Sequence, residues 1–134
     1  MVINIESSHR YSRVDLFLSE VYRILKPGVV LLFADFGNQY DLRKLNRQFK
    51  NMKFNRLKNE TITENVLEAL KLSTPNREEL VRKLLPEFLQ NLGRNFAATE
   101  GTTTYNKLLK REFEYMFYVL SKFFHKPDSK TILN

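Results

Sequence analysis

The sequence predicts an α/β fold built on a parallel strand–helix–strand unit, and three stretches near its start predict it. Val2, Ile3 and Ile5 make a short apolar run, followed at once by the polar cluster Glu6, Ser7, Ser8 and His9. Val14, Phe17, Leu18, Val21, Tyr22 and Leu25 then recur at helical spacing. VVLLFAD, Val29 to Asp35, is apolar until its closing carboxylate, as expected of a strand buried on both faces. Strand, helix and strand in so short a span make a right-handed crossover that leaves the strands parallel neighbours.

The opening run is consistent with a buried strand of that sheet. In open α/β sheets ligands sit beyond the carboxyl ends of the strands, so the polar cluster after Ile5 is a candidate site. The helix that follows carries Asp15 in its first turn and Arg23 and Lys26 at its end, charges that suit its dipole. Pro27 and Gly28 stop it.

The middle of the chain is more polar and reads as helical. Leu42 to Met52 has the pattern of a basic helix with a thin apolar stripe. Thr61 and Glu64 stand at capping-box spacing before a helix carrying Ile62, Val66, Leu67 and Leu70. Thr74 and Pro75 suit an N-cap and first helical position, opening a second helix. That helix puts Leu80, Val81, Leu84, Leu85, Phe88, Leu89 and Leu92 on one face, with Gly93 closing it and Pro86 predicting a kink or break near Leu84 to Pro86.

Phe96 to Thr99 reads as a strand entering a turn around Gly101. Phe113 to Phe124 fits either a helix or a central strand by spacing, and its Phe, Tyr and Val content favours the strand. Residues 125–134 are expected to form a disordered tail. No internal repeat or linker divides the chain, so a single domain over 1–124 is expected.

Composition excludes several classes. With no Cys in 134 residues there is no disulfide framework, thiolate chemistry or zinc ribbon, and His9 and His125 are the only histidines, so no metal-ligand constellation forms. No run approaches the roughly 18 apolar residues of a spanning helix. Nothing at the start has the pattern of a secretory signal, so a soluble, cytoplasmic protein is expected. The net charge of +7 gathers at Arg43, Lys44, Arg47, Lys50, Lys53, Arg56 and Lys58. Such a run is more often a solvated face than a nucleic-acid groove, and no helix-turn-helix, RNA-recognition or zinc-finger signature accompanies it. Nucleic acid is not the expected partner.

Three stretches together carry a family resemblance: NIESSHRY (Asn4 to Tyr11), FLSEVYRILKPG (Phe17 to Gly28) and VVLLFADF (Val29 to Phe36). The chain resembles the C-terminal half of a class I S-adenosylmethionine-dependent methyltransferase. A helix ending in LKPG before a buried strand is common across that superfamily and speaks of fold rather than substrate. NIESSHRY is more selective, with LPEFLQNLGRNF (Leu85 to Phe96), EGTTTY and EYMFYVLSK after it. These are similar to small-molecule O-methyltransferases acting on lipid or polyketide hydroxyls, of the phthiotriol and phenolphthiotriol dimycocerosate type. The resemblance runs from Val2 to Lys122. Val29 departs from it, standing where the family usually has a second glycine.

The resemblance implies a partial Rossmann-like sheet in which Val2 to Ile5 is strand 4, Val29 to Ala34 strand 5, Phe96 to Thr99 strand 6 and Phe113 to Lys122 an antiparallel strand 7. It implies a helical insertion over about 38–93, and it leaves strands 1 to 3, with the glycine-rich turn and ribose-binding acid, outside this sequence. The four glycines, at 28, 37, 93 and 101, form no Gly-x-Gly-x-Gly. The implied cofactor is S-adenosylmethionine, and binding by this truncated chain alone is not expected.

Methyl transfer is a direct displacement, so the protein must align a nucleophile and take its proton. Asn4, Ile5 and Glu6 match cofactor-bordering positions at the strand end. His9 is the better base candidate, because imidazole as a group titrates near neutrality, with Glu6 either orienting His9 or complementing the sulfonium. A plain loop histidine and a turn carboxylate are the competing reading. Ser7, Ser8, Tyr11 and Tyr105 are substrate-side candidates, against turn hydrogen bonds for the serines and core filling for the tyrosines. Asp35 has two readings, a carboxylate facing the crevice and a strand-end cap for the loop that follows, and the cap is preferred.

Two functions follow. One is a small-molecule or lipid-hydroxyl methyltransferase whose present form is inactive alone and has strand 4 as an unprotected edge. That edge is expected to recruit a separate N-terminal half or a second copy through Val2 to Ile5. The other is a non-catalytic interaction module on the same scaffold.

Overall fold

The computed structural model of the chain describes residues 1–87, 90 and 101–123. Its centre is a four-stranded mixed sheet. Strands β1 (Val2–Ile5), β2 (Val30–Gly37), β3 (Phe54–Thr61) and β4 (Glu114–Lys122) lie in the order β1-β2-β4-β3. β1 runs parallel to β2, with Val2 opposite Leu31 and Ile5 opposite Ala34, and β4 runs antiparallel to both β2 and β3. The crossover between β1 and β2 is helix α1 (Val14–Ile24), as its spacing predicts. Gly28 takes the left-handed turn between α1 and β2, at φ +77, a conformation that favours a residue with no Cβ.

One face of the sheet carries the core. Leu31 and Phe33 of β2 and Tyr118 and Leu120 of β4 are fully buried beneath Leu18, Val21 and Leu25 from the α1 side. Helix α2 (Gln39–Asn51) adds Leu45 and Phe49, and Phe49 meets Phe33 and Tyr118 edge to face at 5.2 and 5.1 Å. Asn38 caps α2 by accepting the Asp41 backbone N–H. Each such buried side chain contributes about 1.5–3 kcal/mol by leaving water.

The opposite face is covered unevenly. Helices α3 (Thr63–Leu84) and α4 (Thr103–Leu109) close over one end, where Leu70, Tyr105 and Leu108 pack with Phe36 and Phe113. Ile3 and Ile5, on the β1 edge, are 54% and 61% exposed. The reading of β1 as a buried strand therefore holds only at alternate positions: Asn4 is buried and its two isoleucine neighbours are not.

Several expectations for the middle of the chain are corrected. The sheet position beside β4, assigned to Phe96–Thr99, is held by β3, and Phe96–Thr99 itself lies outside the described residues. The segment 38–93, expected to be a helical insertion, contains that strand. β3 was hidden because FNRLKNET is an edge strand whose side chains are almost all exposed, so no apolar alternation marks it.

The two helices expected between Thr61 and Gly93 are one helix through Leu84. Thr61 does not cap it, since its hydroxyl faces the Met116 sulfur. Thr63, fully buried, instead accepts the Tyr115 N–H through Oγ1 at 2.8 Å and pins the start of α3 to β4. Thr74 is no N-cap either. The Ser73 and Thr74 hydroxyls donate back to the Leu70 carbonyl, and α3 continues through Pro75. α3 ends at Leu84, where Pro86 predicts a break, and Leu80 and Leu84 are exposed rather than packed. α4 was unforeseen, because EGTTTY reads only as a turn. Phe88, Leu89, Leu92 and Gly93 and the expected tail at 125–134 lie outside the described residues.

Candidate functional site

The site forms where β1 ends beside Ala34 of β2, while β2 itself continues to Gly37 along β4. Glu6 takes a left-handed conformation, φ 51, and its N–H bonds the Ala34 carbonyl at 2.9 Å, extending the ladder by one step before the chain turns. The next residues curl into a 3-10 turn, Ser8–Arg10, which sets them over β2 just past that pairing. Asp35 waits there, 2% exposed.

The Asp35 carboxylate is the hub of this corner. Its Oδ2 accepts the Ser8 hydroxyl and, at 3.1 Å, the His9 backbone N–H. Its Oδ1 accepts the Phe36 N–H at 2.9 Å and lies 2.7 Å from His9 Nδ1. A carboxylate at Nδ1 selects the tautomer that carries its proton there. His9 Nε2 is then the basic nitrogen, with no protein partner among the described residues. The His9 side chain is 30% exposed, and its ring leans on Phe36 with centroids 4.8 Å apart.

A second cluster lies behind it. The Asn4 side chain, 4% exposed, accepts the Ser7 hydroxyl at 2.8 Å and the Tyr11 hydroxyl at 3.0 Å through Oδ1. Its Nδ2 is a buried donor without a partner among the described residues. An orphaned buried donor is costly and is the kind of group a ligand would satisfy.

The first cluster, and Tyr11 of the second, border an open cleft of about 560 Å³ between the 3-10 turn and α2. Ser8, His9, Tyr11 and Asp35 line its polar side, and Phe36, Leu42 and Leu45 its apolar side. At the rim, the hydrogen bond from Arg13 holds the Asp15 carboxyl down at about 2, below the usual carboxylate range.

The structure thus brings together Asn4, Ser7, Ser8, His9 and Tyr11. It does not bring Glu6 to His9. Glu6 stands by the Tyr115 hydroxyl, which burial first and the Glu6 carboxylate second push well above the ordinary phenol range. Asp35 takes the orienting role assigned to Glu6, and it caps the turn from the preceding strand rather than the loop after its own. Ile5 borders the site through its backbone position alone, its side chain being on the opposite, exposed face. Tyr105 is buried with Leu70 and Leu108 and takes no part in the cleft. The Ser7 hydroxyl makes a short-range bond to Asn4, whereas the Ser8 hydroxyl reaches across to Asp35 and lines the cleft. A signal for Asp35 was present: two parallel neighbours each ending in polar residues must place those residues side by side.

No family model matches the chain. It is 34% identical over 122 residues to a phthiotriol/phenolphthiotriol dimycocerosates methyltransferase of Mycobacterium leprae, covering 91% of this chain and 45% of that protein. It is 29% identical over 121 residues to a fatty-acid O-methyltransferase of Mycolicibacterium smegmatis, covering 90% and 43%. Among solved structures, a cyclopropane synthase of Mycobacterium tuberculosis superposes with a TM-score of 0.71 at 13% identity, over 90% of this chain and 54% of the other. An O-methyltransferase from a polyketide synthase multienzyme of Brevibacillus brevis, in complex with S-adenosyl-L-homocysteine, superposes at 0.65 and 15% identity, over 91% and 43%.

These likenesses and the sheet order agree on the class: the fold is a partial, Rossmann-like sheet of the class I S-adenosylmethionine-dependent methyltransferases. Within that class, the chain's homologues are phthiotriol/phenolphthiotriol dimycocerosates methyltransferases, and it resembles the C-terminal half of such a protein. It spans about half the length of the curated relatives it matches. Among the described residues no helix is long and apolar enough to cross a membrane, and no cluster of side chains suits a metal ion.

Proposed function

We propose that this chain supplies the acceptor side of an S-adenosylmethionine-dependent O-methyltransferase acting on a lipid-like or other small-molecule hydroxyl, with residues 1–124 as one unit. The observation that carries this reading is the His9 Nδ1–Asp35 Oδ1 contact of 2.7 Å at the rim of the cleft. It leaves Nε2 to take the proton of an acceptor hydroxyl as the oxygen attacks, while Asp35 stabilises the imidazolium that forms. The apolar side of the cleft, Phe36, Leu42 and Leu45, suits an alkyl-bearing acceptor. The names of the homologues, which include a fatty-acid O-methyltransferase, support the same substrate class.

The residues present fit one wall of a cofactor site. The orphaned Nδ2 of Asn4 is a donor held ready at the strand end, with Ile5 offering backbone groups and Glu6 a carboxylate beside it. The cofactor, when bound, supplies an electrophilic methyl group on a sulfonium. A glycine-rich turn has no counterpart in this sequence. The exposed Ile3 and Ile5 on edge strand β1 favour pairing there with an N-terminal half of the domain or with a second copy. An interaction module without catalysis would use that same edge.

The test is transfer of labelled methyl from S-adenosylmethionine to a long-chain fatty acid or alcohol, by the chain alone and with an N-terminal half from a homologue supplied in trans. His9→Ala should lower turnover by roughly 10²–10⁴-fold with the fold intact. Activity unchanged in a folded His9→Ala variant would overturn the assignment of the base. No transfer under either condition, with partner binding retained, would favour the interaction module.

A further inference from the structure

The basic cluster is not absorbed by the methyl-transfer reading, and the fold gives it a shape. Arg43, Lys44, Arg47 and Lys50 are exposed on α2, Lys53 lies in the turn that follows, and Arg56 is on β3. Asp41 is the only acidic residue of α2. Among the described residues Arg47, Lys50 and Lys53 make no ion pair; the neighbouring pair, Lys58 with Glu60, is on the far face of β3 with Phe117.

Arg47, Lys50 and Arg56 ring a shallow hollow of about 460 Å³ whose floor is Phe49, Phe54 and Leu120. Arg56 is held in place by donating to Asn46 Oδ1 at 2.7 Å, with its guanidinium 5.7 Å from the Tyr118 ring centroid. Beside it the β3–β4 register slips between Arg56 and Lys58, so that Arg56 and Leu57 together stand opposite one residue. Leu57 is left 56% exposed, an aliphatic side chain on an edge strand between two cations.

We infer that this surface of α2 and β3 docks on an anionic lipid bilayer, with Arg47, Lys50, Lys53 and Arg56 meeting headgroup phosphates and Leu57 entering the acyl boundary. Charge complementarity selects the anionic surface, and each basic residue near such a surface adds attraction that falls off within a Debye length. An aliphatic wedge among cations is the pattern of an interfacial contact. A single-stranded nucleic acid fits less well. It needs open aromatic faces on which bases stack, and Phe49 and Phe54 are buried with their rings edge-on to each other. The inference rests on charge and exposure and does not depend on methyl transfer.

The experiment is sedimentation of the full chain with phosphatidylcholine vesicles, with and without phosphatidylglycerol. Binding is expected with phosphatidylglycerol only, weakening as salt rises. Lys50→Gln and Arg47→Gln should each lower the partition coefficient roughly fivefold, and Leu57→Ser should lower it further at fixed charge. Lys110→Gln, an equal change of charge after α4, should leave it near the parent value. Equal binding to both vesicle types, equal loss in the Lys110 variant, or tighter binding to an oligonucleotide with the same dependence on Arg47 and Lys50 would each overturn the inference. Because vesicle binding requires no turnover, its failure would leave the acceptor-side reading standing.

Discussion

Asp35, in β2 one step past the last residue paired with β1, holds His9, which precedes it by 26 positions, through a 2.7 Å contact from Oδ1 to Nδ1, while its other oxygen accepts the His9 backbone N–H. One carboxylate thereby fixes both the turn and the ring it presents. Asp35→Ala would strand the Ser8 hydroxyl and two backbone donors, and should lower the unfolding free energy by about 2–4 kcal/mol in urea titrations. Asn4→Ala should cost only about 1 kcal/mol, because half of that buried amide is already unpartnered. Equal losses from the two would show that Asp35 does not anchor the corner.

Tyr115 and Tyr118 are expected to make stability fall at alkaline pH. Burial raises both phenols above their ordinary value of 10.0, for Tyr115 with the help of Glu6 and for Tyr118 against the opposing influence of Asn46 and Arg56. The unfolded chain releases these protons first as pH rises, so their contribution is fully present below pH 10 and is lost above it, up through the higher folded values. Urea midpoints should fall above pH 10, and phenolate absorbance should lag the unfolded control. Tyr115→Phe should flatten that fall, and an unchanged slope would refute the assignment.

Pro75 lies inside α3, where it removes one backbone donor. The carbonyl left without its helical donor is that of Lys71, four residues back, and the Ser73 and Thr74 hydroxyls do not replace it, since both donate to the Leu70 carbonyl. Pro75→Ala should therefore raise stability by about 1–3 kcal/mol, read as a higher thermal midpoint. A lower midpoint would mean that the proline shapes a bend the packing of Leu70 requires.

Ile3 and Ile5 present apolar side chains from an edge strand. Their joint replacement by Lys should shift sedimentation toward monomer and abolish capture of an N-terminal half, with little change in stability because neither side chain is in the core. Unaltered association would move the interface away from β1.

The sequence by itself determined the β1–α1–β2 unit, since helical spacing closed by Pro27 and Gly28 between two apolar runs admits few alternatives. It also determined the stretch at the strand end from Asn4 to Tyr11 as the place to look, because parallel strands deliver their carboxyl ends to one side of a sheet. It could not reveal β3, whose membership in the sheet is backbone pairing to β4 with scarcely any side-chain burial to mark it. Nor could local rules settle the start of α3. There Thr63 bonds to Tyr115, 52 positions away, and that bond outweighs the cap offered by Thr61. The partner of His9 was decided the same way. Glu6 is the nearer carboxylate in sequence, but a left-handed turn sends it toward Tyr115, and the parallel pairing of β1 with β2 brings Asp35 to the imidazole instead. Local chemistry fixes which residues can meet, and only the register between strands fixes which of them do.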